Sequence, residues 1–362
     1  MKVSSTIKKR FIDDVGLCFK IYHEPYFMQK LELLGYDKSF NEFLKVVEEK
    51  FGTEKAYFEA YNKVKENAIS SIKERQEFLE FNESDMTKYP HYEINRPKDS
   101  IYKKRNLKKV LLSVDLSSAN FQALRYVNPI IVGGEPEYYD FISQFTEMEH
   151  VKRSKYVRQV IFGSLNNQKK PIIEVVEKHL IGKMIPAVLR QLGGDELINK
   201  EKLNKPMDEE NVLLLYSNDE IVFDITNMSE DKYEALIENV NTEARGLNIK
   251  VKSEIFNLTN FEQVIKRGEE EIISNTDFYV KNFIAGKNKG TYVYKGLDSD
   301  SYSLAYCCHN GIAIPSHAKI IYNGRFICEI KDDVSYRLTN NDKGEEETNE
   351  KDINGNWYPK IL

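Results

Sequence analysis

Three short segments carry residue types that chemistry can use. Asp115 closes an apolar run, Val110-Leu-Leu-Ser-Val, and is followed by Leu116-Ser-Ser and a helical pattern through Ala119, Leu124 and Tyr126. A carboxylate so placed stands at the exposed end of a rigid strand, or it caps the helix that follows. Asp219 and Glu220 lie between two apolar runs, Val212-Leu-Leu-Leu-Tyr and Ile221-Val-Phe-Asp-Ile, joined only by Ser217-Asn218-Asp219-Glu220. Asn-Asp is a turn-forming pair, yet carboxylates held between strands too apolar to be exposed call for a cation. Between the acidic segments, Lys152-Arg-Ser-Lys-Tyr-Val-Arg-Gln-Val-Ile-Phe-Gly has a helical spacing in which Lys155, Arg158 and Phe162 share a face. Two cations and a ring would then line one groove; an ordinary amphipathic helix ending near Gly163 is the plain alternative.

The elements that must position these residues divide the chain into four stretches. Residues 1–100 read as mostly helical, with Phe40, Phe43, Leu44, Val46 and Val47, then Tyr57, Phe58, Tyr61 and Val64, at three- and four-residue steps. Pro90 and Pro97 end that pattern. Residues 101–270 alternate short apolar runs with helical patterns and contain all three segments. Strands are expected around Leu112, Leu214, Val222 and Val251, and helices at 119–127, 136–162 and 229–244. Residues 271–340 turn to β patterning, with Thr291-Tyr-Val-Tyr and Ile320-Ile-Tyr separated by glycine-bearing turns. Residues 341–362 form an acidic tail, polar and without a regular pattern before Trp357.

The chain has 362 residues and a formal net charge of -5, but the charge is unevenly placed. Residues 101–190 hold 15 Lys or Arg against 8 Asp or Glu, a local +7 that leaves -12 for the remainder. That stretch can attract a polyanion even though the whole is acidic. Hydrophobic residues make up 41%, enough for a sizeable core and against disorder along the whole length. No apolar run reaches the ~20 residues a bilayer span needs, and the N-terminus lacks a signal-peptide pattern. A cytoplasmic protein with no membrane partner is expected. The four cysteines are too few for a disulfide scaffold. Cys307-Cys308-His309, with His317 and Cys328, has no Cys-x-x-Cys knuckle and reads as core packing rather than a zinc site. Gly286-Lys-Asn-Lys-Gly290 reads as a β turn rather than a phosphate cradle.

In order, a strand ending in Asp, a basic helix ending in Phe-Gly and an acidic hairpin resemble motifs A, B and C of the family A DNA polymerases. The resemblance covers roughly Val110 to Ile225, with a diffuse continuation from Asn248 to Phe256. It implies an α+β fold: a polymerase-like palm, an antiparallel sheet backed by helices, with reduced fingers, a helical N-terminal region that is thumb-like or accessory, and a C-terminal β-rich module. It implies Asp115 and Asp219 as catalytic ligands of two Mg²⁺ ions, with Mn²⁺ as a substitute, and Glu220 as their acidic neighbour. Arg158 and Lys155 would meet the triphosphate, Phe162 the incoming base, and Asn120 the sugar. Arg125, Lys152 and Arg153 would follow the nucleic-acid backbone. The chain departs from the family pattern at Asn120, where Glu is usual, at Ser154 for Arg, Arg158 for Lys, Asn166 for Tyr and Asn218 for His. The segment ahead of Asp115 is too short for an exonuclease domain plus a full thumb.

The implied activity is extension of a nucleic-acid 3′-hydroxyl with nucleoside triphosphates, the partners being primer or primer-template and the nucleotides. A template-independent or primer-making transferase is the second version, because a shorter side chain at position 120 leaves room for a 2′-hydroxyl. From another class comes an inactive palm, a nucleic-acid-binding or assembly protein docking through its C-terminal β region. A metal-dependent nuclease using the same carboxylates is a further alternative.

Overall fold

The computed structural model describes residues 3–17, 22, 24, 26–94, 101–165, 171–193, 212–267 and 269–295, together with the backbone of short strands between 320 and 358. Cys18, Cys307, Cys308, His309, His317 and Asn166 lie outside the described residues.

Among the described residues five α-helices come first: α1 (Ser5–Val15), α2 (Tyr26–Leu33), α3 (Asp37–Val46), α4 (Glu54–Lys73) and α5 (Gln76–Glu83). Two of their starts follow local chemistry. Ser4 accepts from the Ile7 amide at 3.2 Å to open α1, and Thr53 accepts from Ala56 at 3.2 Å to open α4. The long periodic stretch after residue 39 breaks at Gly52, whose φ of 70° is open to glycine and resisted by a Cβ. Phe11, Phe27, Phe40, Phe43 and Tyr57 interlock by ring contacts, with Phe11–Phe40 and Phe27–Phe40 edge-on at 5.0 Å.

The middle of the chain forms β1 (Leu111–Leu116), α6 (Ala119–Val127), α7 (Tyr138–Ser143), α8 (Glu149–Arg153), α9 (Lys155–Gly163), α10 (Ile172–Gln191), β2 (Leu213–Tyr216), β3 (Glu220–Asp224), α11 (Tyr233–Gly246) and β4 (Val251–Arg267). The helix expected over 136–162 is thus three. Ser154 explains the last break: its backbone is extended, and its Oγ accepts from the Val157 amide at 3.1 Å, ending α8 and starting α9.

All pairings in this sheet are antiparallel, and its spatial order is β4-β1-β3-β2. With helices between β1 and β2 and between β3 and β4, the chain order is β-α-β-β-α-β, a split β-α-β unit. The fold is therefore α+β, an antiparallel sheet with helices. Leu112, Val114, Leu116, Ile221, Phe223 and Ile255 pack under the helices in one core that also contains Phe43, Tyr57 and Phe81 of the N-terminal helices. That core continues across residue 100. Leu111, Val222, Phe256 and Phe283 form a second, smaller cluster with Ile101, Tyr102 and Leu107 on the other face. β4 runs on past the first sheet into a hairpin with β5 (Glu270–Ala285), which pairs with β6 (Tyr292–Lys295). The 17-residue β4 pairs with β1 over its first residues and with β5 along its length, so residues on both sides of 270 belong to one sheet. Gly286 to Gly290 form a tight turn, with Lys289 N–H bonded to the Gly286 carbonyl at 3.0 Å and both glycines at positive φ. Farther on come β7 (Ile320–Tyr322), β8 (Arg325–Cys328) and β9 (Val334–Thr339), the last paired with the outer half of β4. The acidic tail contributes a strand, Glu346–Thr348, to the edge of β9. Among the described residues no helix is long and apolar enough to cross a membrane.

The N-terminal helices are fastened to α8 and α9 by buried polar groups. The Asp14 side chain is only 2% exposed, and its Oδ1 accepts from Tyr61 at 2.8 Å and from the Ser154 hydroxyl at 2.7 Å. Arg10 stacks on the rings of Tyr61 and Tyr156 beside it. Burial pushes the Asp14 carboxyl up to about 6 against the pull of Ser154 and Arg10. Close by, His150 Nε2 meets the Tyr57 hydroxyl at 3.0 Å, and burial, aided by Lys50, brings its imidazole down to about 4.

These two groups act in opposite directions on stability. Asp14, raised in the folded state, favours folding at low pH and loses that contribution as pH rises through about 6. His150, lowered in the folded state, favours folding above its ordinary range and loses that contribution as pH falls toward about 4. Each is worth about 2 kcal/mol between pH 4 and 6 at 1.36 kcal/mol per unit. The difference in unfolding free energy, pH 6 minus pH 4, should therefore drop by about 2 kcal/mol in His150→Gln and rise by a similar amount in Asp14→Asn, each relative to the parent. Urea titrations at the two pH values decide it; variants that track the parent would refute the linkage.

Candidate functional site

The two acidic segments, more than a hundred residues apart in the chain, meet at one end of the sheet. In the β1–β3 pairing Asp115 stands opposite Glu220, and the Leu116 amide bonds the Asp219 carbonyl at 2.8 Å. Directly paired residues of antiparallel strands point to the same face, so Asp115 and Glu220 share the face away from the main helices. Asp219 lies one position earlier, in the β2–β3 turn, where its Oδ1 accepts from Ser217 Oγ at 3.2 Å. All three acids are half-buried. Glu220 is held from below by Ser113, whose hydroxyl donates to it at 2.6 Å. The turn is tied to α10 by Asn218 Nδ2, which donates to Glu174 at 2.9 Å.

The turn after β1 is equally constrained. Ser118 is left-handed at φ 54°, one of two non-glycine residues with positive φ among those described, a conformation disfavoured for a residue bearing a Cβ. Gln122 holds the turn in place. Its amide nitrogen donates to the carbonyls of Ser117 and Lys250, and its oxygen accepts from the Lys250 amide at 2.6 Å. The junctions β1–α6 and α11–β4 are thereby locked side by side.

Arg158 of α9 reaches this turn. Its Nη1 donates to Ser118 Oγ at 3.2 Å, and its guanidinium lies over the Tyr138 ring at 5.7 Å. The basic helix and the Asp115 segment are therefore in contact. Lys155, one turn earlier, is exposed. Asn120 donates to Glu177 of α10, a carboxylate only 3% exposed. Arg125 is half-buried in the last turn of α6.

Two expected roles need correction. Phe162 is completely buried, its ring packed against Tyr138 at 5.9 Å and Phe121 at 6.4 Å; it joins α9 to the core and offers no face to a base. Lys152 is 8% exposed and paired with Glu149 at 3.1 Å and Glu147 at 3.6 Å, so its charge is spent within the protein. Arg153 is exposed and leans on Glu149 and the Tyr139 ring.

Four further residues at the site carry no signal in the linear sequence: Gln122, Glu177, and Lys252 and Glu254 on β4. Their importance comes from strand register and helix crossing. Only Ser113, two positions before Asp115 and hence on the same strand face, was open to inference.

Among the described residues no three His, Cys, Asp or Glu side chains are grouped to hold a metal ion. The donor chemistry of Asp115 and Asp219 nonetheless fits Mg²⁺, which takes hard oxygen ligands and is commonly held by one or two carboxylates together with substrate phosphates and water.

No protein-family model, curated protein or solved structure matches the chain.

Proposed function

We propose that the protein is a palm-type nucleotidyltransferase resembling the family A DNA polymerases, extending a nucleic-acid 3′-hydroxyl with nucleoside triphosphates. The observation that carries this reading is the juxtaposition of Asp115 and the Asp219–Glu220 turn across the β1–β3 pairing, with Arg158 reaching Ser118 in the turn that follows Asp115. An antiparallel sheet backed by helices is also the architecture that the resemblance implies.

Asp115 and Asp219 would hold Mg²⁺, which supplies Lewis-acid polarisation of the attacking hydroxyl and of the phosphates. The chain's own part is positioning and charge. Ser113 orients Glu220 so that its negative charge backs the site. Arg158, fixed by Ser118 and Tyr138, sets a guanidinium where an anionic triphosphate would approach. Exposed Lys155 adds a second cation at the start of the same helix. The overall change is attack of the 3′-oxygen on the α-phosphorus, forming a phosphodiester and releasing pyrophosphate.

One observation favours a second reading. With Phe162 in the core and Arg158 engaged by its neighbours, the basic helix is built into the protein, as in a palm that binds nucleic acid without adding nucleotides. A labelled primer, with and without template, offered dNTPs and rNTPs separately in Mg²⁺ and in Mn²⁺, separates the readings. The transferase lengthens the primer; a strand that binds but neither grows nor shortens supports the inactive palm. Growth without template, or with rNTPs alone, identifies the end-adding or primer-making version, and shortening identifies a nuclease.

A further inference from the structure

On the face that carries Asp115, β4 presents a second charged group. Lys252 is the register partner of Asp115 and Glu254 that of Ser113, so one row across the sheet reads Glu220, Asp115, Lys252. Glu254 is 8% exposed and gathers three donors: Lys281 of β5 at 3.2 Å, Asn288 at 2.8 Å, and Lys252. Lys281 is itself buried, lying over the rings of Phe256 at 4.1 Å and Phe283 at 5.3 Å. Burial alone would raise the Glu254 carboxyl, but Lys281 and Lys252 together hold it below its usual range.

The charge arithmetic is uneven. Glu254 pairs with both Lys281 and Lys252, so the three groups together carry one net positive charge, and its Lys252 end, 54% exposed, lies one strand from Asp115. Neighbouring strands are about 4.8 Å apart, so the Lys252 and Asp115 side chains leave the same face of the sheet side by side. A half-exposed ammonium that carries this surplus beside an acidic centre suits an anion that must lie next to that centre without entering it.

We propose that Lys252, aimed by the Glu254–Lys281 pair, is the phosphodiester contact for the strand whose 3′ end faces Asp115 and Asp219. This rests on the nucleotidyltransferase reading and adds a residue that the three sequence segments do not contain. Lys252 binds a backbone phosphate and does not touch the reacting atoms.

The test measures binding apart from chemistry. Fluorescence anisotropy of a labelled primer-template in EDTA, at several salt concentrations, is compared for parent, Lys252→Ala and Lys252→Arg, with primer-extension kinetics on the same proteins. Because Lys252 also pairs with Glu254, Lys252→Ala should lower the unfolding midpoint modestly while Lys252→Arg keeps it, and all three proteins are compared where they are fully folded. Lys252→Ala is expected to bind about tenfold more weakly at low salt and to lose about one from the slope of log K against log salt. Its KM for primer should rise while kcat at saturating primer stays within about twofold, and Lys252→Arg should restore the slope. If the parent extends primers but Lys252→Ala matches it in slope and KM, the contact is refuted and the nucleotidyltransferase reading stands. A parent that neither binds nor extends nucleic acid overturns both.

Discussion

Asp219→Asn and Asp115→Asn should each lower primer extension in Mg²⁺ by at least about 10³-fold, a loss of about 4 kcal/mol of transition-state stabilisation at 1.36 kcal/mol per tenfold. An amide keeps the size of the side chain but removes the charge that a divalent cation needs. The fold should survive. Both residues are half-buried at a sheet end, and the backbone bond from Leu116 to the Asp219 carbonyl does not involve either side chain. Unchanged unfolding midpoints with lost extension would assign the acids to chemistry. Equal extension by parent and both variants would remove them from it. Glu220→Gln should be milder, because Glu220 already accepts from Ser113 and serves as a neighbouring charge.

The second large effect is on stability. Phe162→Ala should cost about 3–5 kcal/mol, the range for deleting a fully buried aromatic ring, since Phe162 has no exposed surface and packs against Phe121 and Tyr138. Its loss also loosens α9, which carries Arg158, so extension should fall with the folded fraction. Phe162→Leu, which refills most of the volume, should recover much of the stability and most of the activity. A base-stacking role predicts the reverse pattern: little change in denaturant midpoint for Phe162→Ala, with a large rise in KM for nucleotide. Chemical denaturation and nucleotide titration of the two variants distinguish these outcomes.

The contrast between Asp115 and Phe162 shows what the linear sequence can carry. The hairpin was legible because two apolar runs separated by four polar residues have few other ways to fold, and β1 and α6 because an apolar run gives way to helical spacing after Ser118. Helical spacing also placed Lys155, Arg158 and Phe162 on one side of α9. It fixed their azimuth but not their depth: the helix enters the core along its length, leaving Lys155 exposed and Phe162 sealed. Lys152 has its partner three residues away in Glu149, a spacing that pairs side chains on a helix, so the local surplus of positive charge overstates what is open to an outside anion. Strand register was hidden, because pairing Asp115 with both Glu220 and Lys252 is a long-range consequence of sheet order. Residue 100 marks no break in packing, since the same aromatic core serves the helices before it and the sheet after it.

The most direct measurement is Mn²⁺ binding followed by electron paramagnetic resonance, with a nucleoside triphosphate present, in the parent, Asp115→Asn and Asp219→Asn proteins. If carboxylates from β1 and from the β2–β3 turn share a cation, the parent immobilises Mn²⁺ and each substitution weakens that binding by about tenfold or more. If the parent leaves Mn²⁺ free, or if both variants bind it as the parent does, the two acids do not form one site.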